Sequence, residues 1–214
     1  MHQIKKKDPY RFISKVYDIV TEPLSKGLRL YGLLFYPVSQ NSKILDIGCG
    51  TGSNLVLYNK SGCSVYGIDP SENMLAVAQK KLGESACLIH GNATHLSFSD
   101  DSFDFILISM VLHEMPHVTR ENVLNEINRV LKPTGRLLIV DYHTGPFTFP
   151  KGYLFKAVTI CLEILAGKEH YTNYKDFIHR NGLKDLISKH QFVIEKFKCV
   201  SGGNIVLKLL RKSI

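Results

Sequence analysis

Five short apolar runs, separated by segments with helical periodicity, constrain the fold of this chain more than any other feature. The five runs are, in order, KILDIG, SVYGID, ACLIHGNA, SFDFILISM and RLLIVDYH. Strands that alternate with helices predict a parallel, doubly wound α/β sheet, and SFDFILISM is apolar at nearly every position, as a strand covered on both faces must be. Near the C-terminus, FVIEKFKCV and IVLKLL are joined by the tight turn SGGN, which predicts a hairpin whose last strand is antiparallel to its neighbour. The expected sheet therefore has seven strands, most of them parallel.

The segments outside this sheet mainly predict helices, so a single domain with helical additions is expected. Apolar residues at helical spacing precede the first strand, where Pro23 and Gly27 divide them into two predicted helices. The expected parts are a helical N-terminal cap (1–40), an α/β core (43–145), a helical insertion (146–190) and a terminal hairpin (191–214).

Capping signals predict where two of the core helices begin and end. Ser71 is a plausible N-cap for SENMLAVAQKKLG, and Gly83 is expected to end that helix. Thr119 is expected to open the helix TRENVLNEINRVLKPTG, which its Pro-Thr-Gly turn closes.

Composition restricts the classes of protein to which this chain can belong. With 214 residues and 44% hydrophobic residues, the chain can bury one sizeable core. Its five cysteines form neither a CxxC pair nor a metal-ligand spacing, so reduced thiols and no metal site are expected. The basic N-terminus lacks an apolar signal-peptide region, and no run approaches about 18 apolar residues. A cytoplasmic protein, at most peripheral to a membrane, is expected.

The net charge of +8 is unevenly distributed along the chain. Residues 1–45 carry eight Lys or Arg against three Asp or Glu, and residues 150–214 carry twelve against five. Between them, residues 46–149 carry seven against eleven. The basic flanks fit an anionic membrane, a nucleic acid or simply a solvated surface, and the charge pattern alone does not separate these.

The loop that follows the first predicted strand, in KILDIGCGTGSN, carries three alternate glycines. A phosphate-binding P-loop needs Lys and Ser/Thr directly after its last glycine, whereas Ser53 and Asn54 follow Gly52 here. The dinucleotide pattern G-x-G-x-x-G also fails, because counting from Gly48 its last position is Ser53. Asp46 lies two residues before the first glycine and would repel a pyrophosphate. The loop therefore predicts a ligand that is uncharged or cationic at this end.

S-adenosylmethionine satisfies that condition, because its sulfonium and ammonium groups are positive and it has no phosphate. Asp69 closes the second predicted strand, where an acid can accept hydrogen bonds from both hydroxyls of a ribose. Asn92 follows the third strand, and its amide has the donor and the acceptor needed to pair with an adenine edge.

Five motifs occur in order between residues 43 and 142, namely ILDIGCGTG, VYGIDPSENML, GNATHLSFSDDSFDFI, VLHEMP and VLKPTGRLLIVDY. They resemble the successive motifs of class I S-adenosylmethionine-dependent methyltransferases, above all the ubiquinone/menaquinone-biosynthesis (methyltransferase type 11) group. The predicted C-terminal hairpin is similar to the reversed last strand of that Rossmann-like fold. The resemblance implies an enzyme that uses S-adenosyl-L-methionine and releases S-adenosyl-L-homocysteine.

Carried over by position, the resemblance implies that Asp46 and the loop Gly48–Gly52 hold the methionine end of the cofactor. Asp69 is then expected to bind the ribose, and Asn92 with Ala93 to lie beside the adenine. Many relatives have Asp at position 92, and an amide there loses charge assistance, so somewhat weaker cofactor binding is expected. The complete implied set is Asp46, Gly48, Cys49, Gly50, Thr51, Gly52, Asn54, Asp69, Pro70, Asn92, Ala93 and Ser109.

Because the methyl group is already activated by the positive sulphur, the protein must mainly supply positioning and a dry pocket. A base is needed only if the acceptor atom carries a proton of high pKa. His113 and His143, which follow the fourth and fifth strands, are the candidate catalytic residues, because a neutral imidazole can take a proton near pH 7. Local packing or orientation of a loop is the alternative for both. Tyr10 and Tyr17 are further candidates in the cap, with packing as their alternative, and no role is assigned to Asp141 or Glu114.

The insertion FTFPKGYLFKAVTICLEILAG bears on the identity of the acceptor. Its apolar character suits a lipophilic acceptor, such as a quinol precursor or a lipid, and the basic flanks suit contact with an anionic membrane. The alternatives are that this helix belongs to the core or forms a dimer face, so monomer and homodimer both remain open.

Two other functions compete with small-molecule methylation. A nucleic-acid methyltransferase is encouraged by the basic pI of 9.2. Against it, the fourth strand lacks the Asn/Asp-Pro-Pro-aromatic motif of base-flipping amino methylases, and no separate recognition module follows. The second alternative is a non-catalytic protein that only binds S-adenosylmethionine.

Overall fold

A computed structural model describes residues 14–213 and arranges seven strands in one mixed sheet. The strands are β1 (Lys43–Ile47), β2 (Ser64–Asp69), β3 (Ala86–His90), β4 (Phe103–Ser109), β5 (Leu131–Tyr142), β6 (Phe192–Val200) and β7 (Ile205–Lys212). The helices are α1 (Ser14–Phe35), α2 (Ser53–Lys60), α3 (Glu72–Leu82), α4 (His117–Val130), α5 (Lys151–Ala166), α6 (Lys168–His179) and α7 (Leu183–Ser188). The strand order is β3-β2-β1-β4-β5-β7-β6, which confirms the predicted doubly wound α/β fold.

The first of two compact units ends at Asn92 and contains β1, β2 and β3 in parallel register. Ile44, Leu45 and Ile47 of β1 are completely buried, as a strand covered by helices on both faces requires. In the next strand, a Cβ at Gly67 would lie only 2.7 Å from both Cys49 Sγ and Leu55 Cδ1. Only glycine therefore lets β2 approach the loop that follows β1 so closely.

The prediction that Pro23 and Gly27 separate two N-terminal helices is wrong, because α1 is continuous from Ser14 to Phe35. A proline inside a helix removes one backbone hydrogen bond, and we attribute the continuity of α1 to its packing against α2 and α3. The expected N-cap at Ser71 is confirmed, since its side chain accepts a hydrogen bond from the Met74 amide at 3.1 Å. Tyr10 and the rest of the cap before Ser14 lie outside the described residues.

The second unit runs from Ala93 and contains the other four strands. β4 and β5 are parallel, whereas β7 pairs antiparallel with both β5 and β6, so the predicted hairpin is confirmed. α4 begins at His117 after Pro116, two residues before the predicted Thr119, and β5 begins directly after α4 at Leu131. The Pro-Thr-Gly segment lies within the bounds of β5 but bulges out of its pairing with β4, since Phe103 pairs with Leu131 and Phe105 with Arg136.

The insertion between β5 and β6 folds into α5, α6 and α7. Gly182, whose φ is +54°, separates α6 from α7. Among the described helices, none combines the length and the hydropathy that crossing a bilayer demands.

Candidate active site

The glycine loop after β1 has a backbone that only glycine adopts easily. Gly48, Gly50 and Gly52 have φ values of +68°, +52° and +73°, in the left-handed region. The amides of Gly48 and Cys49 both donate to the Ile68 carbonyl, at 2.9 and 3.1 Å, which ties the loop to the end of β2. A Cβ at Gly50 would meet no heavy atom of the described residues within 4 Å, apart from its two neighbours in the chain. The loop is thus held firmly on one side and is open at Gly50.

Asp69 fixes this loop from the carboxyl end of β2. Its Oδ2 accepts a hydrogen bond from the Gly50 amide at 2.8 Å, and its Oδ1 accepts one from the Ser71 amide at 2.9 Å. Each carboxylate oxygen keeps further lone-pair positions, so these bonds leave room for an additional donor. The acid that was predicted to bind a ribose therefore also organises the glycine loop.

Asp46 differs from Asp69 in having no such support. Its side chain is buried, with 1% of the residue exposed, and neither carboxylate oxygen has a hydrogen-bond partner among the described residues. Burial raises the pKa of Asp46 to about 8, with the nearby Asn54 amide opposing the rise and the charge of Asp69 adding to it. A buried acid without a partner beside an open loop is suited to receive a cationic group.

A second acid reaches this loop from α1, which sequence reasoning missed. Asp18 accepts hydrogen bonds from Thr51 Oγ1 at 2.6 Å and from Ser53 Oγ at 3.3 Å. The Lys81 ammonium lies 2.6 Å from the other Asp18 oxygen. More than thirty residues separate Asp18 from its loop partners, so no local pattern in the sequence marks this contact. It holds the N-terminal part of α1 against the start of α2.

The remaining predicted cofactor residues lie at or near strand ends. Asn54 is half-buried in the first turn of α2, and Pro70 and Asn92 are exposed after β2 and β3. In the second unit, Ala93 is buried and Ser109 is the last residue of β4. Their roles toward a cofactor stay predictions.

In the second unit, His113 lies in a short turn after β4 and forms a buried pair with Asp141 of β5. The residue is 3% exposed, and Nδ1 lies 2.7 Å from Asp141 Oδ1. The other Asp141 oxygen accepts hydrogen bonds from the amides of Leu112 at 3.0 Å and His113 at 3.3 Å. Asp141, to which sequence reasoning assigned no role, therefore fixes both the turn and the ring.

The charge state of His113 follows from its acidic surroundings. Burial alone would lower the pKa of the imidazole, but Asp141, Glu114 and Glu163 together raise that pKa to about 9. The ring therefore carries a proton at neutral pH, where the sequence alone suggested a neutral imidazole. As a base, His113 is strong but acts only in its minor neutral form.

Glu163 of α5 extends this buried group and was not predicted as a site residue. Its Oε1 lies 3.5 Å from His113 Nε2 and accepts a hydrogen bond from the Tyr142 hydroxyl at 3.0 Å. Its Oε2 is buried and has no partner among the described residues. One signal was available in the sequence, because Glu163 is the only acid in an otherwise strongly apolar segment.

His143 occupies a different environment directly after β5. It is half-buried, and Nδ1 lies 3.2 Å from both the Gly203 carbonyl oxygen and the Gly145 amide nitrogen. Burial lowers the pKa of this imidazole, so the ring is neutral at pH 7. The two candidate bases therefore differ in charge state at the same pH.

Several known proteins are similar to this chain in sequence or in fold. Residues 45–139 match a family described as a methyltransferase domain. The demethylmenaquinone methyltransferase of Bacillus mycoides is 33% identical over 184 residues, which cover 79% of this chain and 75% of that protein. The demethylmenaquinone methyltransferase of Bacillus velezensis is 39% identical over 139 residues, covering 62% and 59% of the two chains. The solved structure of an S-adenosylmethionine-dependent methyltransferase from Aquifex aeolicus covers 96% of this chain and 98% of its own length, with a TM-score of 0.61. The two sequences are 22% identical, so this similarity concerns the fold alone.

Proposed function

Because this chain belongs to the class I S-adenosylmethionine-dependent methyltransferases, we propose that it methylates a lipophilic, quinol-like acceptor at a membrane surface. The names of the two Bacillus relatives support a quinone-type acceptor. The observation that carries the proposal is that helix α5 buries polar side chains and exposes large apolar ones.

The residues of the first unit fit the cofactor that the family uses. S-adenosylmethionine supplies an electrophilic methyl group on a positively charged sulphur. Asp46, buried and without a partner, is suited to hold a cationic ammonium, and the glycine loop lets a ligand approach the backbone at Gly50 without meeting a side chain. Asp69 is suited to accept hydrogen bonds from ribose hydroxyls while it holds the Gly50 and Ser71 amides.

The polarity of α5 is the reverse of what a helix in contact with water normally shows. Thr159 and Glu163 are buried, whereas large apolar side chains along the rest of the helix are exposed. The exposed apolar set, which we call the α5 apolar face, is Tyr153, Leu154, Val158, Leu162, Ile164 and Leu165, with exposures between 46% and 81%. An outward apolar face of this kind suits burial in an apolar medium.

Basic residues at both ends of α5 support the same orientation. Lys151 begins the helix and Lys168 follows it, and both are exposed. Lysines that flank an apolar stripe are typical of helices that lie in the plane of an anionic membrane, where each contributes about 1 kcal/mol. A helix of 16 residues, about 24 Å long, is suited to lie on the surface. We therefore assign the membrane contact to the α5 apolar face.

The buried group at His113 suits the polar end of a quinol acceptor. The hydroxyl of a phenol has a pKa near 10, as in tyrosine, which is close to the value of about 9 for His113. In this proposal the neutral fraction of His113 takes the acceptor proton, Asp141 orients the ring, and the unpartnered Glu163 oxygen holds an acceptor hydroxyl. His143 is the alternative base, and the pH dependence of the rate separates the two.

The test is methyl transfer from labelled S-adenosylmethionine to a reduced naphthoquinone with a long isoprenoid chain, presented in anionic vesicles. We expect labelled product from the wild-type chain. The double variant Leu154→Ser/Leu165→Ser should keep the wild-type melting temperature, because both side chains are already more than 60% exposed. It should nevertheless lose vesicle co-sedimentation and most turnover of the embedded acceptor.

Val118→Ser is the matched control, since Val118 is 66% exposed and lies on a different helix, α4. This variant should bind vesicles and turn over the acceptor as the wild type does. A short-chain, water-soluble analogue should be methylated equally by all three proteins. Unchanged sedimentation and turnover of the double variant would remove the membrane role of α5, and no product with any quinol would remove the acceptor class.

A further inference from the structure

A separate cavity of about 260 Å³ lies within the second unit, beyond the end of β5. Its lining includes His143 and Thr144 after β5, Asn181 and Lys184 beside α7, and Lys208 of β7. This volume is many times what a single ordered water requires. The cavity therefore has room for a small ligand together with bridging water.

Lys208 is the unusual member of this lining. The residue is only 9% exposed, and its ammonium has no hydrogen-bond or ion-pair partner among residues 14–213. Lys208 lies two residues from both Val206 and Leu210 in β7, so the three side chains share one face of the strand. That face is buried, because Val206 and Leu210 are 1% and 0% exposed. Burial of an uncompensated ammonium destabilises a folded chain.

The other groups around the cavity do not compensate this charge. None of the described residues that line it is acidic, and Lys184 adds a second cationic side chain. Burial lowers the pKa of the Lys208 ammonium, Cys199 opposes this effect, and the charge of Lys184 adds a smaller lowering effect. Side chains able to donate hydrogen bonds, Thr144 and Asn181, complete the lining.

We propose that this cavity binds a small oxyanion, of the size of phosphate or a short carboxylate, with Lys208 as its principal ligand. The anion neutralises a buried cation that otherwise has no partner, and Lys184 adds a second charge. The site is formed entirely by residues of the second unit, and His143, the alternative base, is one of the residues that line it. Neither the glycine loop nor Asp46 takes part in it.

The experiment uses thermal unfolding and calorimetry of the whole chain with inorganic phosphate and with acetate, at an ionic strength held constant by chloride. We expect at least one of these anions to raise the melting temperature of the wild-type chain in a saturable manner. Lys208→Met keeps the length of the side chain and removes its charge. It should bind the same anion about 10- to 100-fold more weakly, the loss expected for a charge-assisted hydrogen bond. Lys184→Met should weaken binding by a smaller factor.

The melting temperatures in chloride alone show whether Lys208→Met still folds. In chloride alone, Lys208→Met should unfold at or above the wild-type temperature, because it replaces an unpartnered buried charge with an apolar side chain. Lys198→Met is the matched control, since Lys198 is exposed on the neighbouring strand β6, and it should respond to the anion as the wild type does. Equal stabilisation of wild type and Lys208→Met would overturn the proposal, as would the absence of saturable binding of both anions to the wild type.

Discussion

Two aspartates at the glycine loop should respond to the same substitution in opposite ways. Asp69 supports the loop through two backbone hydrogen bonds, whereas Asp46 is buried without a partner. We predict that Asp46→Asn stabilises the cofactor-free chain at alkaline pH, and that Asp69→Asn destabilises it. Both should weaken the binding of S-adenosylmethionine.

The magnitude for Asp46 follows from its pKa. In the unfolded chain the carboxyl ionises near 3.8, and in the folded chain near 8. The folded state therefore retains a proton that the unfolded state loses, so this group's contribution to stability falls as the pH rises from about 4 to about 8. Each pH unit in that window amounts to about 1.4 kcal/mol, and the whole window to an upper bound of about 6 kcal/mol.

An asparagine does not titrate, so the difference in unfolding free energy between Asp46→Asn and wild type should grow with pH. Between about pH 6 and about pH 8 we expect a growth of about 2 kcal/mol. The change at Asp69 should instead cost about 1 to 3 kcal/mol with little dependence on pH, because asparagine has only one acceptor oxygen for the Gly50 and Ser71 amides.

Urea denaturation of the cofactor-free proteins at several pH values measures these differences, and titration calorimetry measures the affinity for the cofactor. Asp46→Asn should bind S-adenosylmethionine at least about tenfold more weakly, since a buried charge pair is lost. Asp100→Asn is a suitable control, because the Asp100 side chain is 73% exposed, and its effect on stability should stay below about 1 kcal/mol. If Asp46→Asn destabilised the empty chain at every pH, as Asp69→Asn should, Asp46 would be a structural residue and the reasoning would fail.

Two other predictions concern the glycine packing and the histidines. Gly67→Ala should lower the free energy of unfolding by about 1 to 3 kcal/mol, because its Cβ meets Cys49 and Leu55 at 2.7 Å. Gly27→Ala has open space in α1 and should raise the free energy of unfolding by up to about 1 kcal/mol. Chemical denaturation measures both changes. The pKa of His113 is about 9 in the folded chain against 6.5 in the unfolded chain, so its protonation contributes about 3 kcal/mol to the free energy of unfolding. This contribution is fully present below pH 6.5 and is lost as the pH rises through 9. His113→Gln should therefore destabilise the chain at about pH 6 much more than at about pH 10. If His113 is the base, the rise of kcat/KM with pH should have its midpoint at about pH 9, whereas a midpoint below pH 6.5 would identify His143, whose pKa is lowered.

Much of the fold could be predicted because its signals are local. The five apolar runs identified β1 to β5, and the two segments joined by the SGGN turn identified β6, β7 and the antiparallel direction of β7. The continuous helix α1 could not be predicted in the same way. A proline signals a local break, and the tertiary packing that overrides it does not appear in the neighbouring sequence.

The candidate site shows the same division between local and distant information. The strand-loop-helix motif located Asp46 and the three glycines, because their spacing is itself the signal. Asp141 lies 28 residues from His113, and Glu163 lies in another element, so their meeting depends on the packing of the second unit. The sequence also showed that α5 is apolar, but only the structure shows which of its faces is exposed.

Asp46, Glu163 and Lys208 share a feature that connects the three proposals. Each is a buried residue, and carboxylate oxygens of Asp46 and Glu163 have no partner among the described residues, while Lys208 places its ammonium at a cavity without an acidic side chain in its lining. Such groups reduce the stability of the ligand-free chain, since desolvation is not offset by a bond. A ligand that binds the folded state alone adds stability in proportion to the logarithm of its concentration over Kd. The cofactor, the acceptor and the oxyanion should therefore each raise the melting temperature, and their effects should be lost separately in Asp46→Asn, Glu163→Gln and Lys208→Met, because the three groups occupy different positions in the fold.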